Sequence, residues 1–262
     1  MYHLKYGAWV PFFGGIILLM KIELLPVKTR LVRPPKDEIW DIIDNLEVKN
    51  GDIVFITSKI VSIHQGRTVK NTDATKEELI RQEAERMIAY HNPTGDYNVN
   101  ITVAHGVLIP AAGIDESNAD NHFILWPEEI DAFCREVRTR LMKKHNLKKL
   151  GVVVTDSHTT PLRWGVTGLT IGLAGVEPLN DIRGKKDLFG REMHLTQVDM
   201  IDPLATMAVN VMGENNECTP IVIVRGDLKI KYSNTASMEN FKIEPEMDIY
   251  RPLLEALPKV ED

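Results

Sequence analysis

The chain has little cysteine and lacks the short motifs that mark several common enzyme classes. Its 262 residues include only Cys134 and Cys218, without a CxxC pair or a His-rich spacing. This pattern argues against a disulfide framework and a structural zinc site, and it predicts a reducing, cytoplasmic setting. A Walker A loop (GxxxxGK[ST]), a GxGxxG fingerprint and a GxSxG elbow are also absent. A P-loop, a Rossmann dinucleotide site and a serine hydrolase are therefore not expected.

The sequence also has no hydrophobic run long enough to span a bilayer. The apolar stretch at residues 9–20 is too short and is interrupted by Pro11, Gly14 and Gly15. We predict that residues 1–19 are an upstream extension and residues 20–262 the folded unit, the alternative being a short membrane-associating tail. The formal net charge of -6 argues against a general nucleic-acid binder. We expect the protein to bind small molecules, and we expect it to bind neither nucleic acid nor a membrane.

Hydrophobic patterning predicts an α+β fold with mixed sheets and flanking helices, because strand and helix signals do not alternate regularly. The continuous apolar run before Asp156 predicts a central strand buried on both faces. Thr75 and Glu78 form a capping box that predicts a helix to about Tyr90. Strands are expected at residues 21–25, 53–57, 98–109, 150–155, 169–173 and 221–224, and further helices at 36–46, 127–145, 202–212 and 247–257.

Two acidic residues stand at positions suited to cation binding. Asp115 lies in a glycine-containing turn, AAGIDESN, and Asp156 follows the predicted central strand in VVVTDSHTT. Ligands commonly bind beyond the ends of sheet strands. Two converging carboxylates there would hold a hard divalent cation such as magnesium or manganese. The alternative is that each aspartate only caps a turn or helix.

Two polar segments are candidates for anion binding. The loop GENNECT at residues 213–219 leaves a predicted helix, and its backbone amides could cradle phosphates while Glu214 adds a third oxygen ligand. The segment RGKKDLFGRE at residues 183–192 is rich in charge. The ordinary interpretations are a polar connection for the first and a solvated surface turn for the second. His158, alone in its loop, is expected to be exposed.

Four long segments, taken in order, resemble one family, the coenzyme F-420-0:γ-glutamyl ligases. AAGIDESN resembles the family's NAGIDxSN, and GVVVTDSHTTPLRWG resembles its strand followed by TDTxGRxxRxG. IGLAGVEPLNDIRGKKDLFGRE resembles its IGxxG…G(R/K)xDLxGRE block, and MGENNECTPIVIVRG its MGE…PxxxVRG ending. The resemblance runs from about Met20 to Gly226.

The resemblance implies a cytoplasmic ligase that forms intertwined α+β homodimers. It implies GTP as co-substrate, L-glutamate as the added group, and manganese or magnesium, with potassium as a further ion. By position, the metal ligands would be Asp115, Asp156, Ser157 and Glu214, and the catalytic residues Asp156 and Arg163. The nucleotide-binding residues would be Arg30, Leu31, Val32, Arg33, Ser58, Lys59, Asn118, Met212, Gly213, Glu214, Asn215, Asn216, Glu217, Cys218 and Thr219.

The chain departs from the family pattern at two places. Ile63 stands in SKIVSIHQGR where the family usually has a lysine, and Thr159 and Thr160 replace the glycine and arginine of TDTxGR. The first change weakens phosphate contacts, and the second alters a loop next to the bound substrates. Two alternatives to a deazaflavin precursor as acceptor therefore stay open. One is another carboxylate acceptor such as folate, and the other is a nucleotide-binding homologue without turnover.

Overall fold

The computed structural model describes residues 21–95 and 98–260, together with residues 10–12 and 15–17 near the N-terminus. The predicted extension at residues 1–19 and its membrane-associating alternative fall mostly outside the described residues. Among the described residues, none of the helices combines the length and the apolar character that a membrane crossing requires.

The described residues form strands and helices in a mixed order, which confirms the expected α+β class. The strands are β1 (Val10–Phe12), β2 (Gly15–Ile17), β3 (Ile22–Val27), β4 (Asp52–Thr57), β5 (Thr68–Lys70), β6 (Arg86–His91), β7 (Asn98–Ala104), β8 (Val107–Pro110), β9 (His122–Ile124), β10 (Leu150–Thr159), β11 (Val166–Ala174), β12 (Leu179–Asp181), β13 (Gln197–Asp199) and β14 (Ile221–Gly226). The helices are α1 (Trp40–Asp44), α2 (Ser58–Gln65), α3 (Lys76–Glu83), α4 (Ile130–His145), α5 (Asp202–Met212) and α6 (Arg251–Leu254).

A five-stranded mixed sheet forms the centre of the fold. Its strand order is β11-β10-β4-β14-β3, and only the β10–β4 pair is parallel. The remaining strands pair in smaller sheets, of which the antiparallel β6-β7-β8 sheet is the largest. The long apolar run of β10 is buried from Leu150 to Thr155, as expected for a strand covered on both faces.

Helices cover both faces of the central sheet. On one face, Val54, Ile56, Val152 and Val154 share a hydrophobic core with α1, α2 and α4. On the other face, Ile53, Phe55, Val153 and Val222 pack with α5 in a second core. This alternation follows from the two-residue period of strand side chains. The central sheet is therefore packed against helices on both faces, which holds the ends of its strands in position.

The parallel pairing of β4 and β10 places the two key segments side by side. Thr57 pairs with Thr155, so Ser58 and Asp156 follow at the same edge of the sheet. Helix α2 begins directly after β4 at Ser58 and has no side-chain cap at its N-terminus. Strand β10 is longer than predicted and continues to Thr159 through its pairing with β11, so Asp156 lies within the strand, next to Ser58 at the N-terminus of α2.

Several expectations about local structure are wrong. Helix α3 forms its capping box but ends at Glu83, and the following residues pair as β6 with β7, since ladder hydrogen bonds outweigh helix propensity there. Residues 98–109 contain two strands, because His105 and Gly106 adopt positive φ in a tight turn. The expected terminal helix is reduced to α6, where Pro252 occupies the first turn and cannot continue an earlier helix.

Helix boundaries also differ from expectation. Helix α1 is shorter than predicted, α4 begins at Ile130 three residues after Pro127, and α2 was not expected. Asp202 was expected to cap α5, but the N-cap position is Ile201. The Asp202 carboxylate instead accepts the backbone N–H of Thr170 at 2.9 Å.

Candidate functional site

A cavity of about 260 Å³ opens beside the end of β4 and the adjacent part of β10 at Asp156 and Ser157. It is bounded by the start of α2, by the turn that carries Asp115 and Asn118, and by the loop that follows α5. Most residues predicted from the sequence meet here. They are Arg30, Leu31, Val32, Ser58, Lys59, Asp115, Asn118, Asp156, Ser157, and Met212 through Thr219.

Asp156 lies at the centre of this arrangement. Its Oδ1 accepts the backbone N–H of Ser157 at 2.8 Å, and its Oδ2 accepts the indole N–H of Trp126. The pKa of Asp156 is raised to about 7, chiefly by burial and to a smaller extent by the nearby Asp115 carboxylate, against the hydrogen bonds from Ser157, Trp126 and Ser58. None of these groups carries a positive charge. The carboxylate is therefore placed to accept a cation.

Asp115 is held by a lysine. Its Oδ2 lies 2.5 Å from Lys59 Nζ, and its Oδ1 accepts the backbone N–H and the hydroxyl of Ser117. Burial would raise the pKa of Asp115, but the Lys59 charge and these hydrogen bonds outweigh burial, and the net pKa is lowered. Lys59 Nζ also donates to the carbonyl and hydroxyl of Ser117. Asp115 is thus an ionised group in a fixed position.

The loop after α5 closes another side of the cavity. Gly213 ends the helix with φ of 80°, and the Glu217 side chain folds over it so closely that a Cβ would overlap the carboxylate. Glu217 accepts the backbone N–H of Asn215 at 2.9 Å, and Asn118 donates to the Asn215 carbonyl at 2.7 Å. Burial raises the pKa of Glu214, and Asp115 and Glu217 raise it further against Lys59. The loop is therefore tied to the Asp115 turn.

Residues 30–32 line the cavity chiefly as a chain segment. The Arg30 guanidinium pairs with Asp37 at 2.7 Å and Asp41 at 2.9 Å, which raises the pKa of Arg30. Arg33 does not line the cavity, and its backbone N–H donates to Asp37. The charge of Arg30 is thus neutralised within the chain.

The predicted catalytic cation Arg163 and the charged segment at residues 183–192 lie elsewhere. Arg163 is exposed on the turn that joins β10 to β11, and Lys185 and Arg191 of the charged segment are exposed between β12 and β13. None of the three is among the residues that bound the cavity. The catalytic role of Arg163 and anion binding by residues 183–192 stay predictions.

The structure adds residues that the sequence did not single out. Ser62 lies on α2 one turn after Ser58, lines the cavity, and has a buried hydroxyl without a hydrogen-bond partner. Trp126 lines the same cavity and contacts Asp156. The four-residue spacing of Ser58 and Ser62 is a helical signal that could have revealed the first. No sequence signal identifies the second, because β9 brings it to the site through tertiary pairing.

The donor atoms of this cavity suit a hard divalent cation. Asp115, Asp156, Ser157 and Glu214 offer only oxygen, the ligand type that Mg²⁺ and Mn²⁺ prefer. Within residues 21–95 and 98–260, however, no three His, Cys, Asp or Glu side chains are grouped so that they could hold a metal ion. Magnesium commonly takes one or two carboxylates and completes its shell with water and substrate phosphates. The residues present fit a cation of that kind.

Fold and cavity together define an α+β protein with an oxygen-rich site where the parallel pairing of two central strands ends. The model of the F420-0:γ-glutamyl ligase family matches residues 26–226. The chain belongs to this family. The match includes Arg30, Asp115, Asp156 and Glu214, and so covers every segment that bounds the cavity.

Individual relatives extend the match over most of the chain. A coenzyme F420:L-glutamate ligase from Methanopyrus kandleri is 36% identical over 231 residues, which cover 81% of this chain and 89% of the relative. The ligase of that name from Methanosarcina barkeri is 31% identical over 92% of this chain and 99% of the relative. The ligase from Methanocaldococcus jannaschii is 30% identical over 88% of this chain and 97% of the relative. The family and its named members are ligases.

Proposed function

We propose that the protein is a ligase that uses GTP and a divalent cation to join L-glutamate to a carboxylate of a coenzyme F420 precursor. The observation that carries this proposal is the convergence of Asp115, Asp156 and Glu214 on one cavity that also contains the N-terminus of α2. These acids are far apart in the sequence, yet each of them lines the same cavity. The names of the relatives supply the glutamate and the coenzyme.

The nucleotide is assigned to the cavity because its lining contains several groups that bind phosphates. Backbone N–H groups at the start of α2 are uncapped and face anions favourably. Lys59 adds a positive charge, and the hydroxyls of Ser58 and Ser62 add polar contacts. Ile63, buried beside them, removes one cation that the family pattern would place there. Phosphate binding would then depend strongly on Lys59 and the helix N-terminus.

The divalent cation is assigned to the part of the cavity lined by Asp115, Asp156, Ser157 and Glu214, where one or two of the carboxylates would bind it together with water and substrate phosphates. When bound, such an ion would neutralise charge on the transferring phosphoryl group and align it for attack. Asp156 would bind it as the ionised carboxylate, since an acid with a pKa near 7 is held ionised once a cation is its neighbour. Manganese and magnesium both match this oxygen set, and the potassium ion stays a prediction.

The proposed chemistry uses an acyl phosphate on the acceptor. The acceptor carboxylate attacks the γ-phosphorus of GTP, forming a carboxylate–phosphate bond and releasing GDP. The amine of glutamate then attacks the acyl carbon, an amide bond forms, and inorganic phosphate leaves while the amine loses its proton to solvent. Lys59 stabilises the negative charge on the phosphate oxygens. The fixed Asp115 turn and the loop at residues 213–219 position the nucleotide.

We further propose that the active protein is a homodimer. Leu162, Trp164, Leu188, Phe189 and Leu195 are each at least 90% exposed. They cluster in two segments, residues 160–165 and 182–196, which we call the two arms. Exposed large apolar side chains in such density mark an interaction surface. A second copy of the chain would cover them and would bring Arg163, Lys185 and Arg191 closer to a cavity.

The acceptor is the least constrained part of the proposal. Thr159 at the end of β10 and Thr160 in the turn that follows stand in place of the family's glycine and arginine. If this change alters which carboxylate is accepted, folate is a second candidate acceptor.

The test is a ligase assay with purified protein, GTP, L-glutamate, Mn²⁺ and a panel of acceptors that includes the F420 precursor and folate. The proposal predicts GDP release and a glutamylated product, seen by mass spectrometry, only when an acceptor is present. Product with folate alone would retain the reaction and replace the acceptor. GTP binding without acceptor-dependent GDP release would contradict the ligase and support a non-catalytic nucleotide-binding protein.

A further inference from the structure

Trp126 contacts one of the proposed cation ligands from a buried position. The side chain is 3% exposed, and its indole N–H donates to Asp156 Oδ2. A buried indole usually finds one hydrogen-bond partner, so the contact alone could be structural. Its partner, however, is an acid in the cavity, and Trp126 also borders a second cavity of about 710 Å³.

The Trp126 indole is held from several sides. Arg67 donates to the Trp126 carbonyl at 3.1 Å and pairs with Glu83 at 2.8 Å. Glu83 in turn lies 3.3 Å from His105 Nε2, and the His105 ring stacks on Trp126 at 5.2 Å with an interplanar angle of 27°. The ring also fills the space above Gly113, where any Cβ would overlap it. The indole therefore has one accessible orientation.

The consequence falls on the Asp156 carboxylate. Rotation of an aspartate carboxylate about its terminal bond is normally broad. Here each oxygen accepts one N–H, from Ser157 on Oδ1 and from Trp126 on Oδ2. The Ser58 hydroxyl is a third hydrogen-bond partner of the carboxylate. An ionised carboxylate offers about four lone-pair sites, so the three hydrogen bonds leave about one of them for a cation. The N–H groups of Ser157 and Trp126 fix the plane of the carboxylate and thus the direction of that lone pair.

We propose that Trp126 is a positioning residue that fixes the Asp156 carboxylate in the orientation from which it binds the divalent cation. The inference rests on the proposed function. A group that hydrogen-bonds to a metal-binding side chain, without contacting the metal itself, orients that side chain. Its loss typically lowers metal affinity by about 10- to 100-fold.

The test compares the full-length wild type with Trp126→Phe and Trp40→Phe. Trp126→Phe keeps an aromatic ring and removes the N–H. Trp40→Phe is the matched control, because Trp40 packs beside Phe133 in the same hydrophobic core and does not line the cavity. Mn²⁺ affinity is measured by electron paramagnetic resonance with saturating GDP, and GDP affinity is measured separately without metal.

We expect Trp126→Phe to bind Mn²⁺ about 10- to 100-fold more weakly, with GDP affinity unchanged, and Trp40→Phe to match the wild type in both. Wild-type Mn²⁺ affinity in Trp126→Phe would overturn the inference alone. An equal loss of GDP affinity would also overturn it, since that shows general damage to the cavity. A wild type that does not bind Mn²⁺ would overturn the metal site and the inference with it.

If Trp126→Phe does not fold, 3-benzothienylalanine is incorporated at position 126 instead. This residue has the shape of tryptophan but carries sulfur in place of the N–H. The same loss of Mn²⁺ affinity is expected, and wild-type affinity in this variant would overturn the inference.

Discussion

The cavity and the two arms differ in how completely one chain builds them. In the cavity, Asp115 and Asp156 are half-buried and held by hydrogen bonds, and Asp115 also by an ion pair with Lys59, while Glu214 lies at the exposed rim. In the arms, Trp164 and Phe189 are 100% and 96% exposed. The difference teaches that the groups proposed for the cation and the nucleotide are assembled within one chain. The arm cations, by contrast, would need a second chain to reach a site.

The largest effect is expected from removing the central acid of the cavity. Asp156→Asn keeps the size and the hydrogen-bonding oxygen but removes the charge. We expect ligase activity to fall by more than about 100-fold, beyond the loss typical of groups that only support a metal ligand. Steady-state GDP release measures this. Asp44→Asn is the control, because Asp44 on α1 pairs with Arg140 on α4 and lies outside the cavity. Activity retained in Asp156→Asn would remove the metal assignment.

The arms are tested by placing a charge on them. Trp164→Glu should raise the dimer dissociation constant by about 100-fold, because it loses a large apolar contact and buries a carboxylate. Light scattering with size-exclusion chromatography measures the mass. The control is Ile88→Glu on β6, a 45% exposed apolar position away from the arms.

The same variant also tests whether the cavity binds its ligands in a single chain. The Trp164→Glu monomer should still bind GDP and Mn²⁺ while losing ligase activity. A monomer that loses nucleotide binding as well would show that the cavity is not complete in one chain. A Trp164→Glu protein with the wild-type mass would contradict the role of the arms.

A smaller effect is expected at Lys59. Lys59→Met removes the positive charge beside Asp115 and the proposed phosphates, so GDP affinity should fall about 10-fold or more, as for a lost charge-assisted hydrogen bond. Calorimetry measures it. Lys76→Met is closely matched, since Lys76 pairs with Glu116 next to Asp115 at 2.8 Å but does not line the cavity. Equal losses in the two variants would show only a general charge effect.

Asp202, a buried acid outside the cavity, gives the smallest effect. Burial raises the pKa of Asp202 from 3.8 to about 6, assisted by Asp199 and opposed by hydrogen bonds from Thr170. The folded state therefore holds this proton more tightly than the unfolded chain. The contribution to stability is complete below about pH 4 and is lost as pH rises through about 6.

The loss amounts to about 1–3 kcal/mol. Asp202→Asn should flatten the decrease of unfolding free energy between these pH values, as measured by urea denaturation. An unchanged pH profile would contradict the raised pKa.

The sequence predicted the central elements well because their signals are local. The apolar run of β10, the capping box of α3 and the helix from Asp202 to Met212 each depend on neighbouring residues. The end of α3 and the division of residues 98–109 were missed, since pairing between β6, β7 and β8 decides them. The cavity lining was largely anticipated through the family motifs.

The remainder of the site could not be predicted because it arises from long-range packing. Trp126 contacts Asp156 because β9 pairs with β5, and the residues that follow β9 place the Trp126 ring against Gly113. The position of Arg163 depends on the length of the β10–β11 hairpin, which continues to Thr159 beyond the apolar run. Neither relation leaves a pattern in neighbouring residues.

The central claim is that the cavity lined by Asp115, Asp156 and Glu214 of one chain binds a divalent cation beside a nucleotide. Crystals grown with GDP and Mn²⁺ and measured at the manganese absorption edge test it most directly. We predict an anomalous peak within coordination distance of Asp156 and of a phosphate oxygen, with GDP against the start of α2. Manganese and nucleotide bound elsewhere, with this cavity holding neither, would contradict the account.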